Sequence, residues 1–285
     1  GQGSAPLSQI AIDWYMQYGI PPKNDIKIAP VTSVLDLCTT ALQIYGTKKF
    51  EEVVLPAITL LDKGKDPWQF KLAITLRKLI ESERSASGNR EKKIQAVSDR
   101  FYGRVKGPVD IADDLVADYI ENGGFLRRED LAAHRTRIED PIGIIYKGYT
   151  VYKCGPWTQG PYLNQALRLL EKFDLKSMGH LSADYIHVVM EAIKLAMADR
   201  DEYYGDPEFV KVPMKELLSD EYTKLRQPLI DMQKASLEAR PGDPYKMSPL
   251  KGPGQFRSGV GGTTTCVVAD RWGNVVAATP SANVE

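Results

Sequence analysis

The run Gly261-Gly262-Thr263-Thr264-Thr265 joins a glycine pair to three hydroxyl side chains. A threonine hydroxyl is a weak nucleophile and needs a base beside it. If the peptide bond before such a threonine is cut, the freed α-amine is a base within reach of that residue's own hydroxyl. An α-amino group titrates near 7.7–8.0, so a useful fraction is unprotonated at neutral pH. Nucleophile and base then reside in one residue, and no histidine is required. A loop-borne bond suits self-cleavage, because the backbone there can be strained and afterwards released. Composition also supports a plainer reading, in which a loop enters a threonine-rich strand, since threonine is a good strand former.

Other chemistries have less material. Gly64-Lys65 is followed by Asp66, so no phosphate-binding G-x-x-x-x-G-K-[ST] loop forms there, and Gly252-x-Gly254 does not open a helix pattern. His187 and Glu191 stand one helical turn apart, which could serve a metal, but a third ligand is not apparent. An ordinary helix face is expected for them, and no metal or cofactor is expected. His134 and His180 lie in polar connecting sequence and are expected at the surface, which leaves little for a histidine-based triad. Cys38, Cys154 and Cys266 make neither a disulfide framework nor a zinc motif. The 37 basic and 37 acidic side chains cancel, which argues against a nucleic-acid partner. No apolar run approaches the roughly 20 residues that span a bilayer.

The elements that must position this threonine run are mostly helices at first. Helical spacing is expected over Leu7–Tyr18, Thr32–Tyr45, Phe50–Leu61, Phe70–Ser82 and Pro108–Asn122, with a short helix from Arg128. In the third of these, Phe50, Val53, Val54, Ala57 and Leu60 are expected to share the buried face. Glu83–Lys93 (ERSASGNREKK) is polar and contains Gly and Ser, and is expected to be an exposed loop. Ile142–Lys153 alternates around Lys147-Gly148 and predicts a β-hairpin. Pro161–Phe173 and Ser182–Tyr204 return to helical period. Residues 241–262 hold four prolines and six glycines and predict a linker or long loop. Thr263–Ala269 and Val275–Thr279 then flank Asp270-Arg271-Trp272-Gly273-Asn274 as a second hairpin. Helices followed by late hairpins predict an α/β or α+β layered fold.

The segment Thr263-Thr264-Thr265-Cys266-Val267-Val268-Ala269-Asp270-Arg271-Trp272-Gly273-Asn274-Val275-Val276 resembles T-T-H-x-S-V-x-D-x-x-G-N-x-V of the γ-glutamyltransferases, self-processing N-terminal nucleophile hydrolases. Further stretches are similar to that family in the same order. They are Tyr45-Gly46-Thr47 with Leu55-Pro56-Ala57-Ile58, Glu121 through Ala132, Tyr146-Lys147-Gly148-Tyr149-Thr150-Val151-Tyr152, and Ala198-Asp199-Arg200 through Val210. The resemblance implies a four-layer αββα sandwich of which this chain is a part. It implies a large-subunit-like region, 1–262, whose last stretch 241–262 leads to the cut, and the start of a small-subunit-like region, 263–285. Thr263 would be the nucleophile for self-cleavage after Gly262 and for catalysis. Thr279 falls where the family has a threonine that hydrogen-bonds the nucleophile, Ser281 where it has a second such threonine, and Asn283 where an asparagine contacts the donor.

The departures bear on substrate. The family's motif has His where this chain has Thr265, and Ser where it has Val267. Its P-P-P-S-S-G-G loop is replaced by Cys154-Gly155-Pro156-Trp157-Thr158-Gln159-Gly160-Pro161. Gln2-Gly3-Ser4-Ala5-Pro6 aligns with R-E-x-A-P, whose arginine holds the α-carboxylate of a γ-glutamyl group, and Gln2 cannot make that charge-assisted pair. The reaction class implied is amide hydrolysis or acyl transfer on a small-molecule amide, with the cleaved pieces held as a heterodimer and no cofactor. Three readings follow: a γ-glutamyl enzyme, an amidohydrolase for a non-glutamyl amide such as oxamate or an acylated β-lactam, and a non-processing binding or structural homologue. The family is usually exported, which favours a periplasmic or extracellular place, with the cytoplasm open.

Overall fold

The computed structural model describes residues 5–22, 25–105, 110–256 and 264–279. The chain divides into two compact units, one of Gly1–Arg137 with Gly261–Glu285 and one of Ile138–Val260.

The first unit carries seven α-helices among its described residues. They are α1 (Gln9–Tyr18), α2 (Val34–Tyr45), α3 (Phe50–Leu61), α4 (Pro67–Ser85), α5 (Arg90–Phe101), α6 (Asp110–Glu121) and α7 (Arg128–Ala133). Phe50, Ile58, Leu79, Ile80, Ile94, Val97 and Ile111 form its main core. The α3 face differs from the expected one. Phe50, Val54 and Ile58 face the core, while Val53 and Leu60 are exposed. Apolar residues occur all round α3, so spacing alone does not select one stripe.

Glu83–Lys93 is not the exposed loop its polarity suggests. The helix α4 runs on to Ser85, and α5 opens at Arg90 behind an N-cap in which the Asn89 side chain accepts from Lys92 N. Glu83 is buried, and its two oxygens accept from Phe50 N (2.7 Å) and Glu51 N (2.9 Å). It caps α3 from a different helix, where a carboxylate suits the positive end of the dipole. Asp36 is a second buried carboxylate, accepting from Ser98 Oγ (2.6 Å), Arg104 Nη1 (3.0 Å) and Thr136 N (2.6 Å). Burial alone would raise its carboxyl, but these donors together hold it below the usual carboxylate range. His134 is buried against Tyr102, with ring centroids 5.6 Å apart, rather than exposed. Burial holds its imidazole below the ordinary range, so it stays neutral at pH 7.

Asp110 gives this unit an acid-sensitive tie. Its carboxylate receives Arg100 Nε (3.2 Å) and Nη2 (3.1 Å) and lies 2.9 Å from Lys78 Nζ, which holds its pKa down to about 2. A depressed carboxyl contributes stability that is present above about pH 4 and is lost as pH falls through about 2. The side chain is 36% exposed, so screening reduces the full linkage value to about 1 kcal/mol. Asp110→Asn should therefore lower urea-unfolding stability by about 1 kcal/mol at pH 7 and by much less at pH 2.5. Equal losses at both pH values would refute the assignment.

The second unit begins with an antiparallel hairpin, β1 (Ile142–Tyr146) and β2 (Tyr149–Lys153), paired Ile142↔Lys153 through Tyr146↔Tyr149. Lys147 and Gly148 both have positive φ, which fits a tight two-residue turn. Then come α8 (Gly160–Leu170), α9 (Leu175–Met178), α10 (Ala183–Tyr203), α11 (Met214–Leu217) and α12 (Asp220–Arg226). Leu169 and Leu170 of α8 pack on Val188, Ala192 and Leu195 of α10, with Ile230 closing the cluster. Residues 241–256 are irregular, as their glycines and prolines predict, but they do not hang free. Asp243 and Ser248 exchange two backbone hydrogen bonds of 3.0 Å, Lys251 N donates to Pro241 O (2.8 Å), and Gly254 N to Ala239 O (3.1 Å).

The chain closes with β3 (Cys266–Ala269) and β4 (Val275–Ala278), the second hairpin, grouped with the first unit. The fold is thus mixed helix and strand, the class expected from the sequence. Among the described residues no helix is long and apolar enough to cross a membrane.

Candidate active site

The β3–β4 ribbon owes its register to its turn. Asp270 Oδ1 accepts from Trp272 N and Asn274 N at 2.9 Å, and its Oδ2 from Asn274 Nδ2 at 2.8 Å. The Asn274 side chain, with the backbone N–H groups of 272–274, holds the Asp270 carboxyl below its usual range. Gly273 sits at φ +90°, a conformation that other residues rarely adopt. Arg271 lies 4.3 Å from the Trp272 ring centroid, completing a closed turn.

That turn fixes the pairing Ala269↔Val275 through Cys266↔Ala278. One step further out, Thr265 Oγ1 stands 3.5 Å from Thr279 Oγ1, at the outer limit of a hydrogen bond. Thr279, which the resemblance implies as a partner of the nucleophile, thus lies just past β4 with its hydroxyl beside that of Thr265. Sequence reading noted Thr265 only as a departure from a motif. Its partner could have been found by counting residues outward from the Asp270–Asn274 turn. Thr264, Thr265 and all eight strand residues are exposed. Thr263, Ser281, Asn283 and Gln2 lie outside the described residues.

His187 and Glu191 have separate partners. His187 Nε2 is 2.8 Å from Asp231 O, while Glu191, 1% exposed, accepts from Arg240 Nη2 (2.7 Å) and Ser236 N (3.1 Å) and pairs with Lys194. Both act as ordinary helix residues that tie α10 to the chain after α12. Trp157, in the loop before α8, donates from Nε1 to Glu139 Oε2 at 2.6 Å.

A larger polar cluster went unassigned in the sequence. Asp199, of the Ala198-Asp199-Arg200 motif, is fully buried and pairs with Arg226 Nη2 at 3.1 Å. It also accepts from Gly242 N (2.8 Å), Tyr222 Oη (3.1 Å) and Gln165 Nε2. The motif marked Asp199, but nothing in composition or spacing marks Arg226, 27 residues later.

Comparison with known proteins gives this geometry a context. A family model described as Gamma-glutamyltranspeptidase matches residues 69–285. The glutathione hydrolase proenzyme of Escherichia coli (strain K12) is 40% identical over 188 residues, covering 65% of this chain and 30% of that protein. The acylase ACY 1 proenzyme of Pseudomonas sp. (strain SE83) is 31% identical over 290 residues, covering 90% of this chain and 47% of that protein. The solved structure of LmbA2991T421A superposes with a TM-score of 0.81 at 31% identity, covering 99% of this chain and 56% of that one. The chain thus spans about half or less of the length of the relatives it matches.

Proposed function

The chain belongs to the gamma-glutamyltranspeptidase family, and from that premise we propose that it is the part of a self-processing amidohydrolase or acyltransferase that carries the nucleophile, Thr263. The observation that carries this reading is the family match across residues 69–285, which includes the whole threonine segment. The register of the ribbon supports it. Counting outward from Cys266↔Ala278 reaches Thr265 with Thr279, two residues along the chain from Thr263. We assign Thr279 and Ser281 as hydroxyl partners of the nucleophile, and Asn283 as a donor-substrate contact.

In maturation, Thr263 Oγ attacks the carbonyl carbon of Gly262. The C–N bond breaks, the Thr263 nitrogen takes up the hydroxyl proton, and an ester remains. Water hydrolyses that ester, giving a Gly262 carboxylate and a Thr263 with free hydroxyl and amine. The boundary between the large-subunit-like and small-subunit-like regions falls at this bond, and the two pieces stay together as a heterodimer. In turnover the amine serves as base, the hydroxyl takes the acyl group from an amide substrate and the leaving amine departs. The acyl-enzyme then passes its acyl group to water or to an acceptor amine. The amine is the group left over from cleavage, so this chemistry uses the chain's own atoms alone.

One relative is named an acylase, and a second reading of the substrate is a non-glutamyl amide. Gln2 and the Trp157 loop point the same way.

A denaturing gel tests the nucleophile. After incubation at working temperature the full-length protein should run as two bands, and Thr263→Ala as one. A single band for both would sink the assignment and leave a non-processing homologue.

A further inference from the structure

The starts of α3 and α5 and the end of α4 border a cleft of about 390 Å³ in the first unit. Small-molecule sites commonly measure about 300–1,000 Å³. The charged residues that line it are Lys49, Glu51, Glu83, Arg84, Arg90 and Lys93. Cations therefore outnumber acids there, and the acids are already spent. Glu83 gives its two oxygens to Phe50 N and Glu51 N. Glu51 gives its two to Arg84, accepting from Nε at 3.0 Å and from Nη2. Glu52, the next acid along α3, accepts from Lys49 N (2.9 Å) and pairs with Lys48 (3.3 Å).

The cations are not spent in the same way. Arg90 is pinned to the chain at the end of α2, donating to Leu42 O (2.9 Å), Gln43 O (2.9 Å) and Lys48 O (3.2 Å). Its charge is thus fixed in place. Arg84 is held by Glu51 through Nε and Nη2, which leaves Nη1 without an acceptor among the described residues. Lys49, at the N-cap of α3, and Lys93, in the first turn of α5, have no carboxylate within 4 Å among the described residues. The N-terminal end of α5 adds a field of the same sign. A concave site with unanswered charge of one sign concentrates ions of the other.

We propose that this cleft binds a compact polyanion of the phosphate class, bridging Lys49 and Lys93, with Arg84 Nη1 as a third donor. Lysine meets phosphate as a point charge and arginine as a planar donor, and both kinds are present. Two linked phosphate groups suit the cleft better than one, because the two ammonium groups are carried by separate helices. A ligand so held ties α3 to α5 and stabilises the first unit. None of these residues takes part in the proposed threonine chemistry.

The test titrates inorganic pyrophosphate into the full-length protein at about 20 mM salt, read by calorimetry and by the thermal midpoint. Binding should saturate at one per chain, and the midpoint should rise with ligand concentration. Affinity should fall at about 150 mM salt, where charges are screened beyond about 8 Å. Lys49→Gln and Lys93→Gln should each weaken binding about tenfold, the loss of one charge-assisted hydrogen bond. Lys65→Gln, in the turn between α3 and α4 and not in the cleft, should leave it unchanged. Orthophosphate should bind about tenfold more weakly than pyrophosphate. The proposal is overturned if millimolar pyrophosphate gives neither heat nor a midpoint shift. It is overturned equally if Lys65→Gln costs as much as Lys93→Gln, since the effect is then general surface charge.

Discussion

Arg226→Met is expected to cost about 3–5 kcal/mol of stability in the unit formed by Ile138–Val260. Methionine can fill much of the same space, so the loss is not mainly one of packing. The guanidinium is the partner of Asp199 and the donor to three carbonyls, those of Leu195, Arg240 and Pro249. Removing it leaves a buried carboxylate without its countercharge and acceptors without donors, and each such group carries its own desolvation penalty. Burial already raises the Asp199 carboxyl, and Arg226 is foremost among the groups that oppose this. In the variant Asp199 is pushed further toward its protonated form. The penalty should therefore be smaller at pH 5 than at pH 8, because proton uptake relieves the uncompensated charge. Urea titrations of wild type and variant at both pH values measure this. A loss under about 1 kcal/mol at pH 8 would show that water takes the place of the guanidinium and that the pair is not sealed.

Gln2→Arg is expected to raise turnover of γ-glutamyl-p-nitroanilide by about ten- to a hundredfold in kcat/KM, from a wild-type rate that is poor for the family. A charge-assisted, bidentate contact to a carboxylate contributes about 1.5–3 kcal/mol, which sets that range. The α-carboxylate lies away from the reacting carbonyl, so the contact is the same in ground and transition states. The gain should appear in KM more than in kcat. An acyl substrate without an α-carboxylate should gain nothing from the same substitution. An unchanged KM for the γ-glutamyl substrate would mean that position 2 does not face that carboxylate, and that the Ala5-Pro6 alignment is misplaced.

Much of the fold was legible because its elements follow local rules. Gly19, Gly46 and Gly123 end helices where expected, and the Lys147-Gly148 and Asp270–Asn274 turns set both hairpins. What escaped notice depends on distant partners. Glu83 reads as a surface charge until α3 presents two backbone N–H groups to it. His134 reads as exposed until Tyr102 packs on its ring and Arg104 donates to its carbonyl. The proposal for Thr263 rests on residue types at one place in the chain, and its rationale needs only an amine and a hydroxyl of the same residue. The buried cluster of Asp199, Arg226 and Gly242 was not legible, because its members meet only when α10, α12 and the following loop converge.

The first unit is assembled from two stretches of chain, with the whole of Ile138–Val260 between them. During synthesis at about 5–20 residues per second, the 123 residues of that insertion take roughly 6–25 s to emerge. The inserted unit is continuous and can fold during that interval, before the ribbon exists. The Thr265–Thr279 end of the ribbon is therefore among the last parts of these two units to leave the ribosome. The ribbon can thus join the helices of the first unit only after the inserted unit has had time to fold.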